Sequence, residues 1–518
     1  MRTFAIALVI ATALATSAVG ADWQGTLDAI LAAPDGATRD ALLEELVEAG
    51  PPWRDVAGAL RGIQFPPAEA GDHLRSAVCV DTVERPWVAV VPPEYDPAEP
   101  TPLLVALHGG VSAPEIADDP LGYVAESPFA AIARKRGWLA CFPFGQEGAT
   151  WWDEVGMANI RSLVRTMKRE YNVDDDRVWM IGFSDGASAA FLHAMVDPND
   201  YAGFVALNGH IGVGSLDGEL PTYASNLANT PVYAVTTFED QLYPSRVMRR
   251  TIEMARQAGG DVFYRELDGA HDFAYADEEM PRVADFIERH PRDPFPTRIT
   301  WETATSAFGG CRWLAIDRVT ADEPATWHDD HNVALVDARV TVGFHPEDSE
   351  AKGILVGSVV EGDYPAARMG LRAADVIIAA DGQPIGDIDD LDRWKEGVER
   401  GDAFTLTVVR DGRQVALDGR IPEPSNYFVF KREAPSARAL AAFAANAVDV
   451  ETSRVGALRI LLHPDMFRFD REIVVRVDGK TVFEKAVEPD VGYLVRNFLE
   501  SRDRRLLYAG EIALDLEG

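Results

Sequence analysis

The spacing of apolar residues changes character three times along the chain. Over residues 22–65 they recur at helical intervals, Leu27, Ile30 and Leu31 and then Leu42, Leu43, Leu46 and Val47. This predicts a small helical lead-in, punctuated by "GPPW" and "QFPP". From 66 to 290 short apolar runs alternate with amphipathic stretches. Strands are predicted at "SAVCVDTV", "PWVAVVP", "PLLVALHGG", "WLACFPFG", "VWMIGFS", "GFVALNG", "PVYAVTTF" and "VFYREL", and helices at 129–136, 158–170, 246–257 and 280–289. Such alternation predicts an α/β fold, a doubly wound, mostly parallel sheet with helices on both faces. Its chemistry would lie beyond the carboxyl ends of the strands. The Pro-rich "HPRDPFPTR", 290–298, marks a boundary. Beyond it the pattern is mainly β, with a compact unit at 338–422 and β-rich pieces at 297–337 and 425–518. Those two pieces are compatible with one β-sandwich split by the unit between them. The "VDGK" near the end reads as a hairpin turn.

The first residues add a compartment. "MRTFAIALVIATALATSAVGADW" has Arg2, an apolar run over 4–15 and small residues Val19, Gly20 and Ala21, the pattern of an export signal over 1–21. The mature chain is then expected to be secreted or periplasmic, and no later segment is apolar enough to cross a bilayer. Its net charge of −34 argues against nucleic-acid binding, which needs a basic face, and against docking on anionic lipid. Three cysteines, Cys79, Cys141 and Cys311, allow at most one internal bridge. They read as buried apolar fillers, and none has a metal-ligand neighbour at useful spacing.

Candidate chemistry centres on "VWMIGFSDGAS", where Gly182, Ser184 and Gly186 crowd the end of an apolar strand. A serine oxygen is a poor nucleophile unless it is exposed, beside a base and facing oxyanion donors. A strand that turns sharply into a helix through Gly-x-Ser-x-Gly meets the first need and aims the N–H after the serine at the reacting oxygen. In "LLVALHGGVSAP" another strand ends in His108-Gly109-Gly110. The backbone of Gly110, or of Val111, would supply the second oxyanion donor beside that of Asp185. The base is expected at His271, in "ELDGAHDFAY", and the orienting acid at Asp240, past the strand "PVYAVTTF". Glu239 competes for that role, and Asp268 is too near His271 in sequence. The order Ser184, Asp240, His271 fits the scaffold. Trp151 and Trp152 in "TWWDEVG" either wall a substrate pocket or cover the core. His108 and His210 read as structural.

On "LHGG", "YNVDDDRVWMIGFSDGAS", "FEDQLYP" and "GAHDF", residues of about 70–290 resemble an α/β-hydrolase, most like the exported carboxylesterases related to polyhydroxybutyrate depolymerases and feruloyl esterases. The resemblance implies a serine hydrolase acting through an acyl-enzyme, with neither metal nor organic cofactor, on a small ester or an ester-bearing polymer. Asp185 departs from the commoner pattern of a small residue or histidine after the serine. "SVVEGDYPAARMGLRAADVIIAADGQPI" resembles the corresponding run of bacterial PDZ domains, with Ala374 where glycine is usual. That likeness implies that Val342, Gly343 and Phe344 receive a peptide's C-terminal carboxylate. Two rival functions stand beside ester hydrolysis. One is a serine peptidase of prolyl-oligopeptidase type to which the PDZ unit delivers polypeptide. The other is an interaction protein built on a spent hydrolase scaffold.

Overall fold

The computed structural model describes residues 22–517, apart from 35, 112, 321–333, 338–339, 348–351, 361, 363, 429 and 431–434. The expected export signal lies outside the described residues. Among those described, no helix is long and apolar enough to cross a membrane. The chain divides into two compact units, one comprising 1–331 and 431–518 and the other 332–430.

In the larger unit, helices α1 (Trp23–Ala32), α2 (Ala37–Ala49) and α3 (Trp53–Arg61) precede the first strand. Their apolar faces have no core of their own. Leu27, Ile30, Leu46, Val56 and Leu60 close on Leu494, Val495 and Phe498 of a helix at the far end of the chain, Val491–Ser501. The lead-in is therefore packed with the C-terminal region, a pairing that periodicity does not reveal.

Eight strands follow, β1 (Gly71–Val78), β2 (Glu84–Val91), β3 (Thr101–Leu107), β4 (Leu139–Pro143), β5 (Val173–Phe183), β6 (Gly203–Leu207), β7 (Val232–Thr237) and β8 (Val262–Leu267). They form one sheet in the order β1-β2-β4-β3-β5-β6-β7-β8. The six strands from β4 to β8 in that order run parallel, and β2 pairs antiparallel with β1 and β4. Strands such as β6, and β3 from Pro102 onward, are apolar because both faces of the sheet are covered by helices. The predicted first strand "SAVCVDTV" is displaced. Thr82 takes φ 68°, and the chain turns where Cys79 N–H donates to Val83 O (2.9 Å). The helices are α4 (Pro120–Glu126), α5 (Pro128–Arg136), α6 (Glu154–Glu170), α7 (Asp185–Val196), α8 (Val213–Asp217), α9 (Ser245–Gln257) and α10 (Ala276–Arg289). Their ends are written in the sequence: Asp153 caps α6 by accepting from Gly156 N–H (2.7 Å), and Gly137 closes α5 in a left-handed turn.

After α10 come two packed sheets. One holds Gly310–Cys311, Leu314–Val319, Val455–Leu461 and Glu511–Asp515; the other holds Arg298–Thr303, Ala437–Ala444, Ala447–Ser453, Ile473–Val477 and Lys480–Lys485. Trp301, Trp313, Leu458, Ile460 and Val475 fill the space between them. Each sheet draws strands from before and after the 332–430 unit. The "VDGK" hairpin is present, with Asp478 and Gly479 both at positive φ. All three cysteines are free and buried.

The smaller unit is a sheet in which Phe344–Glu347, Ile354–Val359, Val376–Ala380, Ala403–Arg410 and Arg413–Arg420 lie side by side, with Ile388–Lys395 as its longer helix. Ala374, at the position where glycine is usual, sits at φ 68° and donates its N–H to Val356 O (2.8 Å). The turn keeps its shape although alanine makes it costlier.

Candidate active site

The turn from β5 into α7 depends on missing side chains. A Cβ on Gly182 would lie 2.1 Å from the backbone of Gly186, and one on Gly186 would lie 2.1 Å from Leu107 O. Between them Ser184 adopts φ 55° and ψ −118°, a strained conformation held by its N–H donating to Leu207 O at the end of β6 (3.0 Å). The hydroxyl is thereby presented at the carboxyl ends of the strands.

His271, in the loop between β8 and α10, places Nε2 at 2.8 Å from Ser184 Oγ. Its Nδ1 faces Asp240 Oδ2 at 2.9 Å. The three residues expected to converge do so in one hydrogen-bonded line, and Glu239 and Asp268 stand outside it. Asp240 is fully buried, which works against its charge. The His271 ring, Tyr243 N–H (2.7 Å) and Asn208 Nδ2 (2.9 Å) outweigh that cost and hold its carboxyl below the usual range. Asp240 thus remains anionic beside the ring.

Asn208 was not among the sequence candidates. It donates to both Thr237 Oγ1 (2.7 Å) and Asp240, and its Oδ1 accepts from Tyr275 OH (2.6 Å). Its signal in the sequence was an asparagine at the end of β6, in a position that proves to need φ 51°.

The loop after β3 lies directly against the serine. A Cβ on Gly109 would come within 2.9 Å of Ser184 Cβ, so that position also excludes a side chain. Of the two amides expected to compete as oxyanion donor, Val111 N–H is occupied, donating to Asp185 Oδ2 (3.0 Å). The N–H groups of Gly110 and Asp185 have no partner among the described residues. Burial raises the pKa of the Asp185 carboxyl, against the pull of Val111 N–H, His271 and Tyr243. His108 is structural: Nδ1 faces Gly109 O (2.7 Å), Nε2 accepts from Gly145 N–H (3.0 Å), and burial pulls its pKa down to about 4.

Trp151 is 1% exposed, its indole N–H donating to His108 O (3.0 Å), and Trp152 is 7% exposed. Both are buried, Trp151 beneath the His108 loop, a placement that agrees with the core-covering alternative. Phe183 and Phe273 pack together beside the His271 ring, with Tyr243 on another side. His210 is buried and accepts from Gly212 N–H (3.0 Å).

In the smaller unit, Val342 and Gly343 are buried, their carbonyls accepting from Ala366 N–H (2.8 Å) and Val360 N–H (3.0 Å). Phe344 opens an edge strand paired on one side with Ile354–Val359. An edge strand beside a glycine loop is the geometry that accepts an added strand.

Residues 154–291 match the family model described as Phospholipase/Carboxylesterase, and residues 340–419 match that of the PDZ domain. The larger unit thus carries a segment similar to the phospholipases and carboxylesterases, and the smaller unit is similar to PDZ domains. More particularly, a 125-residue segment is 30% identical to a bifunctional acetylxylan esterase/xylanase of Neocallimastix patriciarum, covering 23% of this chain and 18% of that protein. An 81-residue segment is 38% identical to a probable periplasmic serine endoprotease DegP-like of Bartonella henselae, covering 15% of this chain and 16% of that one. The chain therefore spans under a fifth of the length of these two relatives. A solved structure of Thermogutta terrifontis esterase 2 phosphonylated by cyclosarin aligns over 44% of this chain and 97% of its own, with 18% identity and a TM-score of 0.35.

Proposed function

We propose that the protein is an exported serine hydrolase that cleaves carboxylic esters through an acyl-enzyme, with its PDZ domain binding a peptide or protein terminus. The observation that carries this reading is the continuous line Ser184 Oγ, His271 Nε2, His271 Nδ1, Asp240 Oδ2, with links of 2.8 and 2.9 Å. Ser184 Oγ attacks the ester carbonyl as its proton passes to His271 Nε2, and the buried charge of Asp240 stabilises the imidazolium. The oxyanion takes hydrogen bonds from the N–H groups of Gly110 and Asp185. His271 then protonates the departing alcohol. In the second half it deprotonates water, which attacks the acyl-serine and releases the acid. The apolar run and small residues at 4–21 support secretion or a periplasmic location.

Ser184→Ala is expected to lower the ester rate about a thousandfold or more, because nucleophile and base act as a unit. A fluorophosphonate should label the wild-type chain at Ser184; a chain that stays unlabelled would instead be an interaction protein on an inert scaffold. Likeness of one segment to an endoprotease favours peptides as the second reading. Short acyl esters of graded length, a feruloyl ester and an unstructured peptide offered side by side separate the two. Faster turnover of the peptide would replace the esterase assignment.

A further inference from the structure

At the amino end of β5, the end opposite Ser184, a cavity of about 120 Å³ opens between three segments remote in sequence. Its apolar side is formed by Leu31, Ile63 and Phe65, and its cationic side by Arg169, Arg502 and Arg504. Buried Lys168 also reaches it, but its charge is met by Asp200 (2.8 Å) and Asp503 (3.2 Å). Arg504 is likewise held by Asp175 (3.3 Å) and Asn172 Oδ1 (2.8 Å), with its guanidinium over the Phe65 ring. Arg169 pairs with Glu170 (3.2 Å) and is half-exposed.

Arg502 is different. It makes no ion pair with a carboxylate among the described residues, and its guanidinium lies 5.7 Å from the centre of the Phe498 ring. The charged groups that bear on it are all cations. Burial, then Arg39, Arg169 and Arg165, lower its pKa to about 10, where arginine is ordinarily charged at any physiological pH. Such convergence is unusual in a chain with 83 acidic and 49 basic residues, where a carboxylate could readily have been supplied. A guanidinium fork matches a carboxylate's two oxygens, and an apolar floor favours a ligand with a hydrocarbon part over a hydrated inorganic ion.

We propose that this cavity binds a small organic carboxylate, its oxygens on Arg502 and Arg169 and its apolar part against Leu31, Ile63 and Phe65. Because the lining comes from the lead-in, α6 and the C-terminal segment, the ligand ties these three together and stabilises the folded chain.

The test is thermal unfolding of the full mature chain with sodium benzoate, against sodium chloride and inorganic phosphate at equal ionic strength. Benzoate is expected to raise the midpoint by several degrees, saturably, with phosphate doing less. Arg502→Met, which keeps the stem over Phe498, and Arg169→Met are each expected to lose the rise while keeping the ester rate. Should Arg502→Met fail to fold, the half-exposed Arg169 position supplies the same readout. A benzoate effect no greater than that of chloride overturns the proposal. So does a rise that survives both substitutions, which would put benzoate elsewhere, or a phosphate effect equal to that of benzoate, which would make the site a general anion sink.

Discussion

Asp185 acts at the residue scale through two separate atoms. Its N–H is the proposed oxyanion donor, while its carboxylate accepts a hydrogen bond from Val111 N–H of the opposite loop (3.0 Å). Removing the carboxylate leaves the first role intact and frees the loop that carries Gly110. Asp185→Ala is expected to lower kcat about tenfold with little change in KM, the worth of one positioned hydrogen bond. Asp185→Asn, whose oxygen can still accept from Val111, should recover most of the rate. Equal rates for the two variants would show that the tie is dispensable. At this scale Ser184, Asp240 and His271 were legible because each sits at a strand end with distinctive neighbours. Asn208 was not, since its value lies in bonds to residues 29, 32 and 67 positions away.

The elements are joined by buried charge. Arg292, in the Pro-rich stretch that reads as a boundary, is inaccessible and bonds to Asp503 (2.7 Å) and Asp176 (3.0 Å). Asp503 also faces Lys168 of α6 (3.2 Å). Burial opposes the charge of Asp503, but Arg292 and Lys168 prevail and hold its carboxyl far below the usual range. The cluster clamps the end of the chain onto the hydrolase sheet. Asp503→Ala leaves two buried cations short of a partner and is expected to cost about 3–5 kcal/mol in urea unfolding. A loss under 1 kcal/mol would mean that water or the remaining acids take its place. Composition marked 290–298 as a boundary. It could not say that Arg292 within it is buried, because burial depends on what the C-terminal segment brings to it.

For the whole molecule, the 332–430 unit has its own core, including Val356, Ile377, Leu406 and Val408. Its ends enter as a two-stranded ladder, Ala334–Asp337 with Ser425–Phe428. Replacing 332–430 by a short Gly/Ser linker is therefore expected to leave the hydrolase folded, with activity on a small ester within about threefold. Loss of the fold would show that the unit is structural. Acid should act on the larger unit through its buried histidines. Burial lowers the pKa values of His108, His193 and His463 to about 4, 4 and 3. Between pH 6.5 and about 4 the unfolded chain takes up protons that the folded chain does not. Stability should then fall with falling pH, by about 1.4 kcal/mol per unit for each histidine. Urea midpoints at pH 7, 6 and 5 check this, and a flat profile would contradict it.

The sequence by itself determined the α/β rhythm, the strained serine turn, the PDZ unit and the identity of the three residues that align at the site. Each of these is local: a period, a turn chemistry, or a residue type at a strand end. Tertiary structure alone decided the rest. It buried Trp151 and Trp152, turned Val111 N–H towards Asp185, recruited Asn208 and packed the first helices against the last. Those outcomes depend on which distant segments meet, and no local pattern encodes the partner a side chain finds across the fold.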